Sequence, residues 1–378
     1  MATGTGAERE DGAPVTSGRA ERSPASAGSP RRITGLDAAR AVAILGMLAV
    51  NVGPLADPGL AGMLLRVPHG RASLLFVLLA GIGYSLLTRR ARAGGPLPWR
   101  QVLWRAALLG FIGLATQLLG HGVDVILTVY AALFLLALAL VRAPMWSLLT
   151  LSVGAAVASP LIWLGVQQST GQVFDREAPA LVDEPAQVLA STFLTGPYPV
   201  LTWIAPFLFG MWLGRLPLHQ PRLHKRLALW GLAVALAAEL AARAAEVVLG
   251  PSGEDPGADW LLSSVAHSQM PLWLIGGSAA AVAVLGAMAL LLPRMGRWGW
   301  PLVATGQLAL TVYVVHLFAV AWLVRPGPQT ATAGLAITLI MAVVLIAGST
   351  LWLRVGSYGP LEKLLRLPGR RRAGPQPG

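Results

Sequence analysis

Residues 331–354 read ATAGLAITLIMAVVLIAGSTLWLR, and the first charged side chain in that stretch is its last, Arg354. Wound as a helix it is about 35 Å long, enough to cross the roughly 30 Å hydrocarbon core of a bilayer. Runs of the same kind recur upstream near 35–56, 71–88, 100–120, 123–141, 145–166, 198–216, 226–250, 268–292 and 301–324. The composition agrees. Soluble domains carry about 25% charged residues, whereas this chain of 378 residues has 12%, with 55% hydrophobic residues and a mean hydropathy of +0.63. The fold expected is all-α, a polytopic transmembrane helical bundle of about ten spans.

The 43 glycines and 28 prolines do not argue against helix, because both are tolerated in membrane spans. Gly35, Gly46, Gly81, Gly83, Gly110 and Gly113 are read as small faces where helices approach closely. Only His121-Gly122 separates the third run from the fourth, so the two should form a tight helical hairpin. Residues 1–30, rich in Gly, Ala, Ser and Pro, have too few large aliphatics to bury and are expected to be a disordered tail. No signal peptide is expected. Residues 31–355 form the transmembrane domain and 356–378 a basic C-terminal tail.

Charge gives the orientation. With the N terminus in the cytoplasm and strictly alternating spans, 24 of the 29 Lys and Arg residues fall on the inside. Only Arg66, Arg71, Arg176, Arg243 and Arg325 fall on or towards the other side, where most loop acids gather. Both termini are therefore expected in the cytoplasm of a cell whose plasma (inner) membrane holds the protein. The net charge of +12 sits in short loops between apolar runs, not on a solvated face, which excludes a nucleic-acid reader.

That orientation gathers polar residues on the outer side. Asn51 ends the first span, His69 precedes the second, and His121 and Asp124 occupy the outer hairpin. His267 opens the eighth span, and His316 lies inside the ninth, where an ionisable side chain usually lines a site. Imidazole is the commonest general base, and an adjacent carboxylate can orient it. On the inner side Asp37 and Arg40, at i and i+3, share a helix face and should neutralise each other, or Arg40 could meet an anionic cofactor. Glu239 and Glu246 flank Arg243 as an internal ion pair within the seventh span. Trp203, Trp212, Trp260, Trp273, Trp298 and Trp300 read as interfacial belt residues. No metal site is expected: the chain has no Cys, and its histidines lack local ligand spacing.

Several stretches are familiar. Arg32-Ile33-Thr34-Gly35-Leu36-Asp37-Ala38-Ala39-Arg40 and His69-Gly70-Arg71-Ala72-Ser73-Leu74-Leu75-Phe76 resemble bacterial membrane proteins similar to heparan-alpha-glucosaminide N-acetyltransferase. Tyr198-Pro199-Val200-Leu201-Thr202-Trp203, His267-Ser268 and the segment from Gly306 to His316 resemble the domain-of-unknown-function 418 proteins. The resemblance covers roughly residues 31–355. It implies a transmembrane acyltransferase that takes acetyl from coenzyme A on the cytoplasmic side and delivers it to an amino sugar beyond the membrane. It also implies a catalytic histidine after span one, assisted by an asparagine near that span's end; His69 and Asn51 occupy comparable places.

The expected function is acyl transfer from acetyl-CoA or another acyl-CoA to an extracytoplasmic hydroxyl or amine, on a sugar or envelope glycan. Arg40 and the basic segment Arg89–Arg105 would attract the donor's phosphates. His69 or His316 would be the base, with Asp124 orienting it and Asn51, His121 and His267 holding substrate. The partners expected are the lipid bilayer, the small-molecule donor and its acceptor, with homo-oligomer formation left open. A transporter or flippase with an outer polar site, and a non-catalytic membrane protein, are the alternatives.

Overall fold

The computed structural model describes Met1, Gly4 and residues 32–174, 176–253 and 257–367. The expected tail 1–30, apart from Met1 and Gly4, and the basic residues beyond 367 lie outside the described residues. The chain divides into two units, Met1–Arg32 and Ile33–Gly378, and every helix lies in the second.

The regular structure of the described residues is helical throughout. In chain order the helices are α1 (Thr34–Val52), α2 (Leu60–Arg66), α3 (Arg71–Leu87), α4 (Arg89–Arg92) and α5 (Trp99–Gln117). Then follow α6 (Leu127–Leu136), α7 (Met145–Thr170), α8 (Pro185–Ala190), α9 (Val200–Leu213) and α10 (Pro221–Leu249). The last are α11 (Pro271–Met295), α12 (Trp300–Gln307), α13 (Ala309–Ala319), α14 (Ala331–Val355) and α15 (Pro360–Leu364).

Five segments are long and apolar enough to cross a membrane: Thr34–Val52, Leu60–Leu87, Met145–Thr170, Pro271–Gln307 and Ala331–Val355. Pro185–Thr195 and Val200–Leu213, bent by 60°, would together make a sixth. This is a membrane protein. The other expected spans fall short of that test for visible reasons. α6 has only 10 residues, and Ala309–Val324 is also short. α10 places Arg222, Lys225 and Arg226 at one end and Glu239, Arg243 and Glu246 near the other, so its uncharged centre, residues 227–238, covers only about 18 Å.

Close contacts fix the direction of each helix against its neighbours. α1 and α3 are antiparallel: Gly46 packs on Pro68 and Ala72, and Gly83 faces Arg40. α7 runs against α9, since Ser152 Oγ donates to the Ala205 carbonyl at 2.8 Å and Trp163 Nε1 to the Leu194 carbonyl at 3.0 Å. α10 and α11 form a hairpin, with Gly231 beside Ala279 and Ala283 and Gly286 beside His224 and Ala228. α3 and α9 run parallel and touch backbone to backbone. A Cβ at Gly81 would meet the Phe207 carbonyl, and one at Gly210 the Leu78 carbonyl, so only glycine admits this approach. The expected α5–α6 hairpin forms through Gly113 on Thr128 and Gly110 on Ala131. Its turn spans residues 118–126 and so is longer than His121-Gly122 alone.

At one end of the bundle Arg215 holds the carbonyls of Leu140, Val141 and Ala143, and Arg142 reaches the Gly95 carbonyl at 3.2 Å. At the opposite end lie the connections 53–59, 67–70 and 118–126, and the described residues 171–174, 176–184, 250–253 and 257–270. Between them runs a column of buried rings. His316 meets Tyr313 at 5.1 Å, Tyr313 meets Phe76 at 5.8 Å, Phe76 meets Tyr130 at 5.4 Å, and Phe134 with Tyr84 continue the column.

Candidate functional site

The site begins where α1 ends. Asn51 Nδ2 lies 3.1 Å from Nε2 of His316, which is 0% exposed in α13. The amide can only donate there, so Nε2 accepts and the imidazole carries its proton on Nδ1. Arg325, just past the π-helical turn Val320–Val324, ties the pair to the α5–α6 turn. Its Nε donates to the His121 carbonyl and its Nη2 to the Asn51 carbonyl at 3.2 Å. His121 is also 0% exposed, and its Nδ1 accepts from the Val123 amide at 3.1 Å. Burial first, then the Arg325 charge, hold its pKa below the usual histidine value, opposed by a hydrogen bond with the backbone of Thr116.

Asn51, Asp124, Tyr198, His267 and Tyr313 line one small cavity of about 30 Å³. That is room for one or two waters. Tyr313 Oη accepts from the Ile126 amide at 3.4 Å, which fixes the turn that carries Asp124. Apolar neighbours raise the Asp124 carboxyl to about 6, a backbone hydrogen bond from Ala178 pulls it partly back, and Glu177 pushes it up again. Among the described residues no hydrogen bond or ion pair links Asp124 to a histidine.

His267 reaches the cavity from a strained loop. Its φ is +61° and that of Gln269 is +66°, a region that costs a side chain energy unless its surroundings enforce it. Here they do. Gln269 Oε1 accepts from Thr202 Oγ1 at 2.8 Å and Trp203 Nε1 at 3.0 Å, while its Nε2 donates to the Pro197 carbonyl at 3.0 Å. Arg176 donates to the His267 carbonyl at 3.2 Å. The imidazole is walled by Tyr198, Trp203, Trp273 and His69, with ring centroids 5.4 to 6.1 Å away. Burial, then the charges of His69 and Arg176, lower its pKa to about 3, so it is neutral at physiological pH.

His69 connects this interior to the protein surface. It sits on the turn between α2 and α3, 5.4 Å from the His267 ring, and lines an open groove of about 450 Å³ with Arg66, Arg71, Glu239, Arg243 and Trp273. The turn depends on Gly70, whose φ is +69° and whose missing Cβ leaves space for Ala266 and Trp273. Among the described residues the His69 ring has no hydrogen-bond partner, which leaves both nitrogens to whatever enters the groove. The expected ion pair forms on its rim: Arg243 contacts Glu239 at 3.1 Å and Glu246 at 3.2 Å, and Arg71 reaches Glu239 at 3.6 Å.

Six of the seven sequence candidates thus gather at one end, from α1, the 67–70 turn, the 118–126 turn, the 263–270 loop and α13. Arg40 does not join them. It lies eleven residues before Asn51 on α1, about 16 Å away, and makes the expected pair with Asp37 at 2.7 Å. Trp203 and Trp273, read as belt residues, are buried and wall His267 instead, with the Trp203 indole N–H donating to Gln269 Oε1. Trp298 and Trp300 are exposed. Sequence reasoning passed over Arg325, Tyr198, Tyr313 and Gln269; for Arg325 the signal was its place on the side poor in basic residues. No group of His, Asp or Glu among the described residues could hold a metal ion.

Two family models match the chain. One, described as heparan-alpha-glucosaminide N-acetyltransferase, catalytic, covers residues 32–246. The other, described as a protein of unknown function (DUF418), covers residues 213–368. Among curated proteins none matches. The site straddles the two: Asn51, His69 and Asp124 lie in the first region, and His267, His316 and Arg325 in the second.

Proposed function

This chain belongs to the heparan-alpha-glucosaminide N-acetyltransferase catalytic family, and from that premise we propose that it transfers an acyl group across the plasma membrane. The donor is a cytoplasmic thioester such as acetyl-CoA, and the acceptor is an extracytoplasmic hydroxyl or amine on a sugar or envelope glycan. The protein threads the bilayer ten times with both termini inside. Alternating helix directions and the gathering of Arg92, Arg142 and Arg215 at one end support that threading. One observation carries the catalytic reading: His69 faces an open groove on one side and, through His267, backs onto the cavity lined by Asn51 and Asp124.

In this reading the acceptor lies in the groove and gives its proton to His69. Its oxygen or nitrogen bonds to the acyl carbonyl carbon, the carbon–sulfur bond breaks, and the thiolate leaves and takes up a proton. Asn51 has two amide hydrogens. One is used on His316, and the other is free to meet the developing oxyanion, where an oriented donor is most effective. His316, sealed from both groove and solvent, positions Asn51. His267 stays neutral and shapes the wall. Arg40, with part of its guanidinium given to Asp37, and the segment Arg89–Arg105 attract the donor's phosphates at the other end.

The test uses membranes containing the full chain, labelled acetyl-CoA and a glycan acceptor. A positioned base contributes about 10²–10⁴-fold, so His69→Ala should lose that much, and His316→Ala a smaller factor through Asn51. Undiminished turnover in both variants ends the reading. A transport reading draws on the break between α12 and α13, since transporters often bind substrate at broken helices. Substrate-driven proton flux without acyl turnover would favour it.

A further inference from the structure

We infer that the groove between the α10–α11 hairpin and the α7–α9 pair is a binding site for one anionic phospholipid. α10 and α11 pack tightly on each other but meet α7 and α9 along a narrow strip, which leaves a trough of about 410 Å³. Its floor is made of small residues, Ala156, Gly231 and Ala279, and its sides include Trp212 and Trp230. The trough runs along α10 from Arg226 to Val234, about 12 Å, most of the depth of one leaflet.

Charge selects the occupant. Arg226 closes one end of the trough, and Arg222, one turn before it on the same side of α10, stands beside that end; both are exposed. Neither makes a side-chain hydrogen bond or an ion pair among the described residues. Two unpaired cations at the mouth of an apolar trough match a phosphate head with a hydrocarbon tail. A neutral lipid would fill the trough and leave the cations without a partner. The trough lies apart from the histidine cavity, so occupancy is independent of acyl transfer.

The test is native mass spectrometry of the full chain in non-ionic detergent, titrated with phosphatidylglycerol or with phosphatidylcholine of identical tails. One phosphatidylglycerol should be retained with about tenfold preference. Replacing the two cations together (Arg222→Gln, Arg226→Gln) should bring the two lipids to parity. Val234→Trp, which fills the trough from its exposed rim, should reduce retention of both. Equal retention by the unmodified chain, a preference that survives the double replacement, or undiminished retention by Val234→Trp overturns the site. So does a lipid-independent dimer whose interface Val234→Trp breaks, because the trough would then belong to a second copy of the chain.

Discussion

Asp124 and His267 line the same cavity with opposite dependences on pH. Asp124 binds its proton more tightly in the folded chain, so folded stability is highest below about pH 4 and falls as pH rises through about 6. His267 resists protonation, so its contribution is complete above about 6.5 and is lost as pH falls towards about 3. Thermal melting against pH should separate them: Asp124→Asn removes the first slope, and His267→Asn, which tolerates the positive φ, removes the second. If the carboxylate form serves turnover, the rate should climb through about pH 6, and Asp124→Asn should flatten that limb. Arg325 gives a third expectation. Charge-assisted hydrogen bonds contribute about 1.5–3 kcal/mol each, so Arg325→Gln should lower the melting temperature and loosen Asn51. Its role could not be read from spacing, because Asn51 and His316 are 265 residues apart. It could have been read from sidedness. All five arginines that break the charge bias are engaged: Arg66 with the Leu55 and Asp57 carbonyls, Arg71 and Arg243 with glutamates, Arg176 with His267, and Arg325 with His121. Such residues persist against the topology signal only where something holds them.

The helices were legible to the degree that each carries its own apolar run. α1, α3, α7, α11 and α14 sit where the hydropathy places them, because length and composition alone specify a span. α2 and the short turns around α8 were not legible; seven residues or fewer leave no periodicity to detect. The division of the ninth run into α12 and α13 was hidden for another reason, since the carboxylate that caps α13 lies 51 and 52 residues from the groups it accepts from. Glu362 on α15 accepts from the Leu310 and Thr311 amides at 2.8 and 3.1 Å and from Thr311 Oγ1 at 2.6 Å, and so caps α13 across the break. Caps of this kind contribute about 1–2 kcal/mol. Glu362→Ala should therefore cost about that much in melting experiments, and Glu362→Gln less, because one carbonyl oxygen remains. At the α3–α9 crossing, Gly210→Ala should cost about 1–3 kcal/mol, since its methyl meets the Leu78 carbonyl and the backbones must part.

Across the whole molecule, sidedness links the fold to the chemistry. The His69 and His267 rings lie 5.4 Å apart, so the turn before α3 and the loop before α11 must share one face of the membrane. Gly334 packs on the Gly53 carbonyl, which brings the start of α14 to that same face. At the opposite end Trp104 Nε1 donates to the Leu364 carbonyl at 2.8 Å, so the start of α5 and the C-terminal α15 share the other. The chain has no cysteine of its own, so single cysteines report without background. In intact cells a membrane-impermeant maleimide should label Thr170→Cys and Thr330→Cys. His219→Cys and Ser357→Cys should react only after the membrane is opened. The reverse pattern would turn the groove beside His69 towards the cytoplasm and remove the extracytoplasmic acceptor. A mixed pattern would place on opposite faces loops that these contacts hold together, and the shared cavity could not form.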